Sequence, residues 1–221
     1  NVSATAIAQD AFTLIWDEVE GESRYEVEVY KGYHYVENFD EIDSLPEDWE
    51  LNGCSISDSE IYSYSKPKYL RFYENGAYLQ SPLLQNLSSI SFMARQPNAS
   101  ATATFRIQTS TDGSSWVDLG VLESGKDNTR NINNIYQIYC YEINFAVPVY
   151  FRFFLDSFTS TPVTLDNLEY TLKEESASFN QNDCSSTVAR ISGLASDSDY
   201  ICRVKANTDG AEFSNWLNVT T

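Results

Sequence analysis

Apolar and polar residues alternate along this chain in short runs, at both ends and through the middle. No segment carries a sustained helical period with caps. Phe12, Leu14 and Trp16 form one such run, and Tyr25, Val27 and Val29 form another, with Glu26 and Glu28 expected to face water. Successive side chains of a strand point to opposite faces, so each run reads as a strand with one buried side. Gly, Asn, Asp and Ser punctuate the runs, as turns require. The 15 Tyr and 12 Phe favour strands further. The chain is therefore expected to be all-β. Its 221 residues allow one large domain or two modest ones with proper cores.

The two ends carry related signals. Ala11–Trp16 and Arg24–Tyr30 stand near the start. Gly193-Leu194, Tyr200–Ala206 and Phe213–Thr221 stand near the finish. Placed end to end, these segments resemble a fibronectin type III module. The resemblance covers 1–32 and about 173–221, and Trp16, Leu194, Tyr200 and Trp216 fall where that family has such residues. Tyr200 follows Leu194 by six residues across Ala195–Asp199, a spacing that resembles the tyrosine corner of immunoglobulin-like sandwiches. The resemblance implies that Trp16, Tyr25 and Tyr200 are core. It departs from the family after the third strand, where a short loop gives way to residues 33–172. Exposed turns tolerate such insertions, because closure entropy grows slowly with loop length.

The interrupting segment has its own ordered series. It opens with Val36–Asp40 and Leu45-Pro46-Glu47-Asp48-Trp49 and continues through Tyr69–Phe72, Ala77–Leu84, Ile90–Arg95 and Ala103–Thr109. It ends with Val149–Phe153 and Val163–Tyr170. The order resembles the jelly-roll sandwiches called cleaved adhesin, choice-of-anchor J and MAM domains. The fold expected is thus a fibronectin type III-like β-sandwich, 1–32 and 173–221, with a jelly-roll-like β-sandwich, 33–172, inserted after its third strand. The resemblance implies secreted or surface proteins of Bacteroidetes, with adhesion, glycan-binding or accessory roles. The stretch Thr111–Trp116 also resembles the sialidase Asp-box but is one residue short; Asp112-Gly113 reads as a turn signal and Trp116 as core.

Charge narrows the partners. The formal charge is −18, with 18 of the 32 acids in residues 33–172, so acidity belongs to the whole surface. Such a surface repels polyanions, which argues against nucleic acid. No apolar run is long enough to span a membrane. Asn1 leads straight into a strand with no signal peptide, so the chain is expected to be part of a longer protein. Cys54, Cys140, Cys184 and Cys202 are too few and scattered for a disulfide scaffold or zinc site. Cys54–Cys140 and Cys184–Cys202 stay open as pairings, against the plainer reading of buried thiols.

No catalytic constellation emerges. His34 is the only histidine and sits between Tyr33 and Tyr35, without a nucleophile motif elsewhere. Paired carboxylates are inevitable among 32 acids and carry no signal for glycoside hydrolysis. Calcium is the stronger expectation. The stretch from Glu37 to Glu50 holds seven acids and no base, and the strand around Asp166-Asn167 changes phase, which implies a bulge. The resemblance to calcium-holding sandwiches maps Asp40 and Asp166 onto a shared Ca²⁺, an ion that takes hard oxygen ligands. For a ligand, the alternation turns Arg95, Arg106, Gln108, Tyr150 and Arg152 outward as a glycan face, with the loop aromatics Tyr62 and Tyr64 as a second site. A salt-bridged solvent face is the competing reading. The function expected is a non-catalytic, secreted or surface module that binds a glycan or a partner protein; the alternative is a structural spacer presenting a neighbouring domain.

Overall fold

The computed structural model describes residues 1–42, 44–124, 132–143, 145 and 147–221; every regular element among them is a β-strand. The chain divides into two compact units, Asn1–His34 with Thr171–Thr221, and Tyr35–Tyr170. Two long strands, β3 (Tyr25–Glu37) and β13 (Val163–Lys173), carry the chain out of the first unit and back.

The first unit is a sandwich of three strands on four. One sheet runs β1 (Val2–Ala8), β2 (Ala11–Trp16), β15 (Val188–Ser192). The other runs β14 (Phe179–Cys184), β3, β16 (Asp199–Ala206), β17 (Leu217–Thr220), all antiparallel. Phe12, Leu14 and Trp16 from one sheet meet Tyr25, Val27, Tyr200, Cys202 and Val204 from the other in one core. Each such side chain contributes on the order of 1.5–3 kcal/mol by leaving water. Tyr200 Oη accepts the Ala195 N–H at 2.8 Å and closes the turn ahead of β16.

The outer face of the four-stranded sheet is not simply solvated. Glu28 is 8% exposed, contrary to its expected place in water. It lies opposite Arg203 in the β3–β16 register and accepts Arg203 Nε at 2.6 Å. The Arg203 guanidinium is packed against Phe213 at 3.9 Å and Trp216 at 4.3 Å. Lys205 continues the series beyond Phe213, and Lys173 lies over Trp216 and Tyr30. Cations and aromatics thus alternate over this face, and the segment before β17 roofs what alternation alone would leave open.

The second unit packs two sheets face to face. The first has the order β10 (Val117–Ser124), β9 (Ala103–Ser110), β12 (Tyr150–Phe158), β7 (Ala77–Gln80), β4 (Glu50–Asn52). The second comprises β11 (Gln137–Glu142), β8 (Leu87–Arg95), β13, β6 (Lys68–Phe72) and β5 (Cys54–Asp58) in that order. Phe72, Phe92, Phe105, Phe151 and Phe153 fill the space between them and are essentially unexposed. Phe92 meets Phe153 edge-on at 4.7 Å, and Phe72 meets Phe105 at 5.0 Å, the geometry aromatic quadrupoles favour.

All four thiols are free, so neither open pairing forms. Cys54 lies on β5 and Cys140 on β11, at opposite edges of one sheet. Cys184 and Cys202 flank β3 on either side. Neighbouring strands are ~4.8 Å apart, so two strand spacings exceed the roughly 7 Å beyond which Cα atoms cannot be bridged.

Candidate functional site

The pairing registers of the five-stranded sheet align its outward residues in rows. Asp118 faces Gln108, Gln108 faces Arg152, Arg152 faces Gln80, and Gln80 faces Glu50. This polar row crosses all five strands. A second row beside it runs Arg106, Phe154, Tyr78, Asn52. The alternation that sends Phe105, Phe151 and Phe153 inward sends these residues outward.

Hydrogen bonds fix the row. Gln108 Nε2 donates to Asp118 at 2.7 Å, and Gln108 Oε1 accepts Arg152 Nε at 2.7 Å. Arg106 donates to Asp118 at 2.6 Å and to Asp156 at 2.9 Å. Those hydrogen bonds, to Asp156 first and Asp118 second, raise the Arg106 pKa. Arg152 is different: burial lowers its pKa. Its guanidinium lies 4.1 Å from the Trp116 ring centre and 4.7 Å from that of Phe154. Trp116 is therefore half-buried on this outer face and not in the core. The hairpin between β9 and β10 puts it there: Asp112 accepts the Ser114 and Ser115 N–H groups, and Gly113 has a φ of 71°. Tyr150 packs beside Gly113. Trp116 carried no outward signal in sequence, because it precedes the strand whose alternation would have oriented it.

Arg106, Gln108, Tyr150 and Arg152 thus share one surface, and Arg95 does not. Arg95 ends β8 in the other sheet, over Tyr136 at 4.7 Å and Tyr62 at 5.8 Å. Its Nη2 donates to Ile61 O at 2.9 Å. Outward direction was readable for Arg95, but the sheet it belongs to was not. Tyr62 stands at the rim of the 59–67 loop, half-exposed. Tyr64 packs edge-on against Tyr136, and its N–H donates to Asp166.

Asp40 and Asp166 lie in one neighbourhood. Asp166 is fully buried and accepts Tyr64 N–H at 2.7 Å, Ser65 Oγ at 3.0 Å and Asn167 N–H at 2.8 Å. Burial pushes its pKa up to about 6 despite those donors, and the charge of Asp40 adds to the rise. Asp40 accepts the Lys68 N–H at 2.9 Å. Ser65 Oγ also reaches Asn38 O at 3.3 Å. Asn167 has a φ of 44°, and Leu165 and Leu168 are both buried three residues apart, so an extra residue interrupts the alternation here. Two buried oxygens of these segments, Asn167 Oδ1 and Ser63 Oγ, have no hydrogen-bond partner among the described residues. Among the described residues, no cluster of three or more His, Cys, Asp or Glu could hold a metal; Asp43 lies outside them. A cation here would depend on carbonyl and hydroxyl oxygens beside the two carboxylates, which is a donor set calcium accepts.

His34 is exposed, and its Nδ1 lies 3.2 Å from Thr171 Oγ1.

No protein family matches the chain, and no curated protein does. Solved structures do. The K1 cleaved adhesin domain of Lys-gingipain from Porphyromonas gingivalis W83 is 14% identical, with a TM-score of 0.51 over 64% of this chain and 99% of that one. The K2 cleaved adhesin domain of Lys-gingipain has 8% identity and a TM-score of 0.49, over 62% and 99% of the two chains. The CBM22-1 xylan-binding domain of Paenibacillus barcinonensis Xyn10C has 10% identity and a TM-score of 0.49, over 67% and 99%. The likeness to the K1 domain is one of fold over that part of the chain: an all-β sandwich of the adhesin-like jelly-roll kind.

Proposed function

We infer that this chain is a non-catalytic binding module of a secreted or cell-surface protein, and that it recognises glycan on the outer face of the five-stranded sheet. The observation that carries this reading is the Asp118–Gln108–Arg152–Gln80–Glu50 row with Trp116, Phe154, Tyr78 and Tyr150 around it. A sugar presents hydroxyls at its edge and C–H bonds on its faces. A rigid polar row flanked by half-exposed rings offers partners for both. The Arg106 and Arg152 bonds hold that row in one conformation, which lowers the entropy lost on binding.

The supporting unit reads as a fibronectin type III-like sandwich interrupted after its third strand. Its three-on-four strand order and the Tyr200–Ala195 bond support that assignment. Calcium is assigned to Asp40 and Asp166, with Asn167 and Ser63 as further oxygen sources. The unpartnered buried oxygens and the mutual repulsion of the two carboxylates support it. The ion would bind and neutralise those charges and tie the 38–40 and 63–68 segments to β13, with no part in chemistry.

Glycan-array screening of the whole chain, followed by titration of the best hit, tests the binding reading. Trp116→Ala and Tyr150→Ala should each weaken binding at least tenfold with the fold retained. Binding unchanged by both, or turnover of the bound glycan, would refute it. For calcium, melting with and without a chelator is the direct test. Saturation at a hundredfold excess over the dissociation constant should stabilise by about 2.7 kcal/mol, and Asp40→Asn should abolish the difference.

A further inference from the structure

We propose that a second site, on the other sheet of the same unit, binds a carboxylated sugar residue. It is a cavity of about 360 Å³ lined by Tyr62, Tyr69, Arg71, Thr161 and Thr164, among others. That volume suits one monosaccharide ring, at the lower end of the roughly 300–1,000 Å³ of ligand pockets. Its floor comes from strand geometry. Thr164 on β13 faces Arg71 on β6, and Tyr69, two residues before Arg71, shares that outward face. Its walls are the Tyr62 loop and the 160–162 turn, the latter anchored by Gln96 Nε2 donating to Thr161 O at 2.8 Å.

Charge selects the ligand. The chain has 32 acids against 14 Lys and Arg, so an arginine here would be expected to find a carboxylate. Arg71 pairs with Ser55 and Thr164 through the sheet backbone, but its exposed side chain forms no ion pair or hydrogen bond among the described residues. Arg95, which braces the Tyr62 loop, is paired with no carboxylate among the described residues, and its buried Nε has no hydrogen-bond partner among them. Two arginines next to one tyrosine-walled cavity, neither neutralised by an acid among the described residues, make a locally positive site on a strongly negative protein. Arg71 supplies the planar fork that matches a carboxylate. Tyr62 supplies a half-exposed ring for the sugar face, and the Thr161 side chain supplies a hydroxyl partner. A neutral sugar would leave Arg71 unused, whereas a uronate or a sialate carries the missing anion on a pyranose.

The site is separate from the Trp116 face, so either can fail without the other. The test is titration of the whole chain with methyl glycosides of galacturonic acid, glucuronic acid and N-acetylneuraminic acid, against methyl galactoside, by NMR shift perturbation. At least one acidic glycoside should bind, at least tenfold tighter than the neutral one, and which one binds identifies the source. Arg71→Gln should weaken that binding roughly 10- to 100-fold, the scale of a lost charged hydrogen bond, with an unchanged circular dichroism spectrum. Tyr62→Ala, at the rim, should also weaken it, while Trp116→Ala should not. Equal binding of the neutral glycoside would overturn the proposal. So would indifference to Arg71→Gln, or no binding by any of the three acids.

Discussion

Replacing Arg203 with Ala should cost the first unit far more than a surface ion pair would suggest. The Arg203 and Glu28 side chains are only 14% and 11% exposed, and they meet at 2.6 Å. Removing one partner of a buried pair leaves the other charge undercompensated, a loss of about 3–5 kcal/mol, here at the lower end because Tyr30 bonds to Glu28 and Lys173 acts on it. Contacts with Phe213 and Trp216 would add about 0.5–2 kcal/mol each in isolation, but they share one guanidinium and do not simply sum. The expected loss is therefore about 4 kcal/mol, a large part of the 5–15 kcal/mol typical of a domain. Glu28→Gln in the same background should recover part of it, because the buried charge goes. Two units need a unit-specific probe. Urea-dependent labelling of Cys184 and Cys202, both buried in the first unit, provides one, with buried Cys54 reporting the second. A loss under about 1 kcal/mol, or no coupling between the two positions, would refute the account of a buried, stacked pair.

Arg152→Ala should destabilise the second unit by about 1–3 kcal/mol, from loss of its Trp116 and Phe154 stacking and its bond to Gln108; Cys54 labelling in urea measures it. Gly53→Ala should cost about 1–3 kcal/mol by the same assay, because φ is +62° and a new Cβ would meet Ala77 Cβ at 3.0 Å and Cα at 3.2 Å. Asp166 gives a pH signature in metal-free buffer. Its folded pKa of about 6 lies above the ordinary 3.8, so its contribution is fully present below about pH 4. It is lost as pH rises through 6, on the order of 2–3 kcal/mol. The Asp166→Asn variant should lack that slope in a comparison of urea midpoints from pH 4 to 7.

Alternation of residues told which way side chains point, because a strand's two faces follow directly from its period of two. Phe92, Phe105, Phe151 and Phe153 were legible as core on that ground, as were Phe12, Leu14 and Val27. Arg106, Gln108, Tyr150 and Arg152 were legible as outward in the same way. What lies next to an outward residue depends on pairings between distant strands, and no local pattern records those. Arg95 and Arg106 both point outward, yet one belongs to each sheet. Glu28 was expected in water; Arg203, 175 positions away, and the rings before β17 cover it. Cysteines that looked pairable stand two strands or a whole sheet apart. Trp116, outside any alternating run, took its place from a hairpin that folds it over Arg152. Strands, faces and cores follow from local residue order, since burial of apolar surface acts along the chain. Neighbours come from the pairing of distant strands, and with them the polar row, the Arg71 cavity and the surroundings of Asp166.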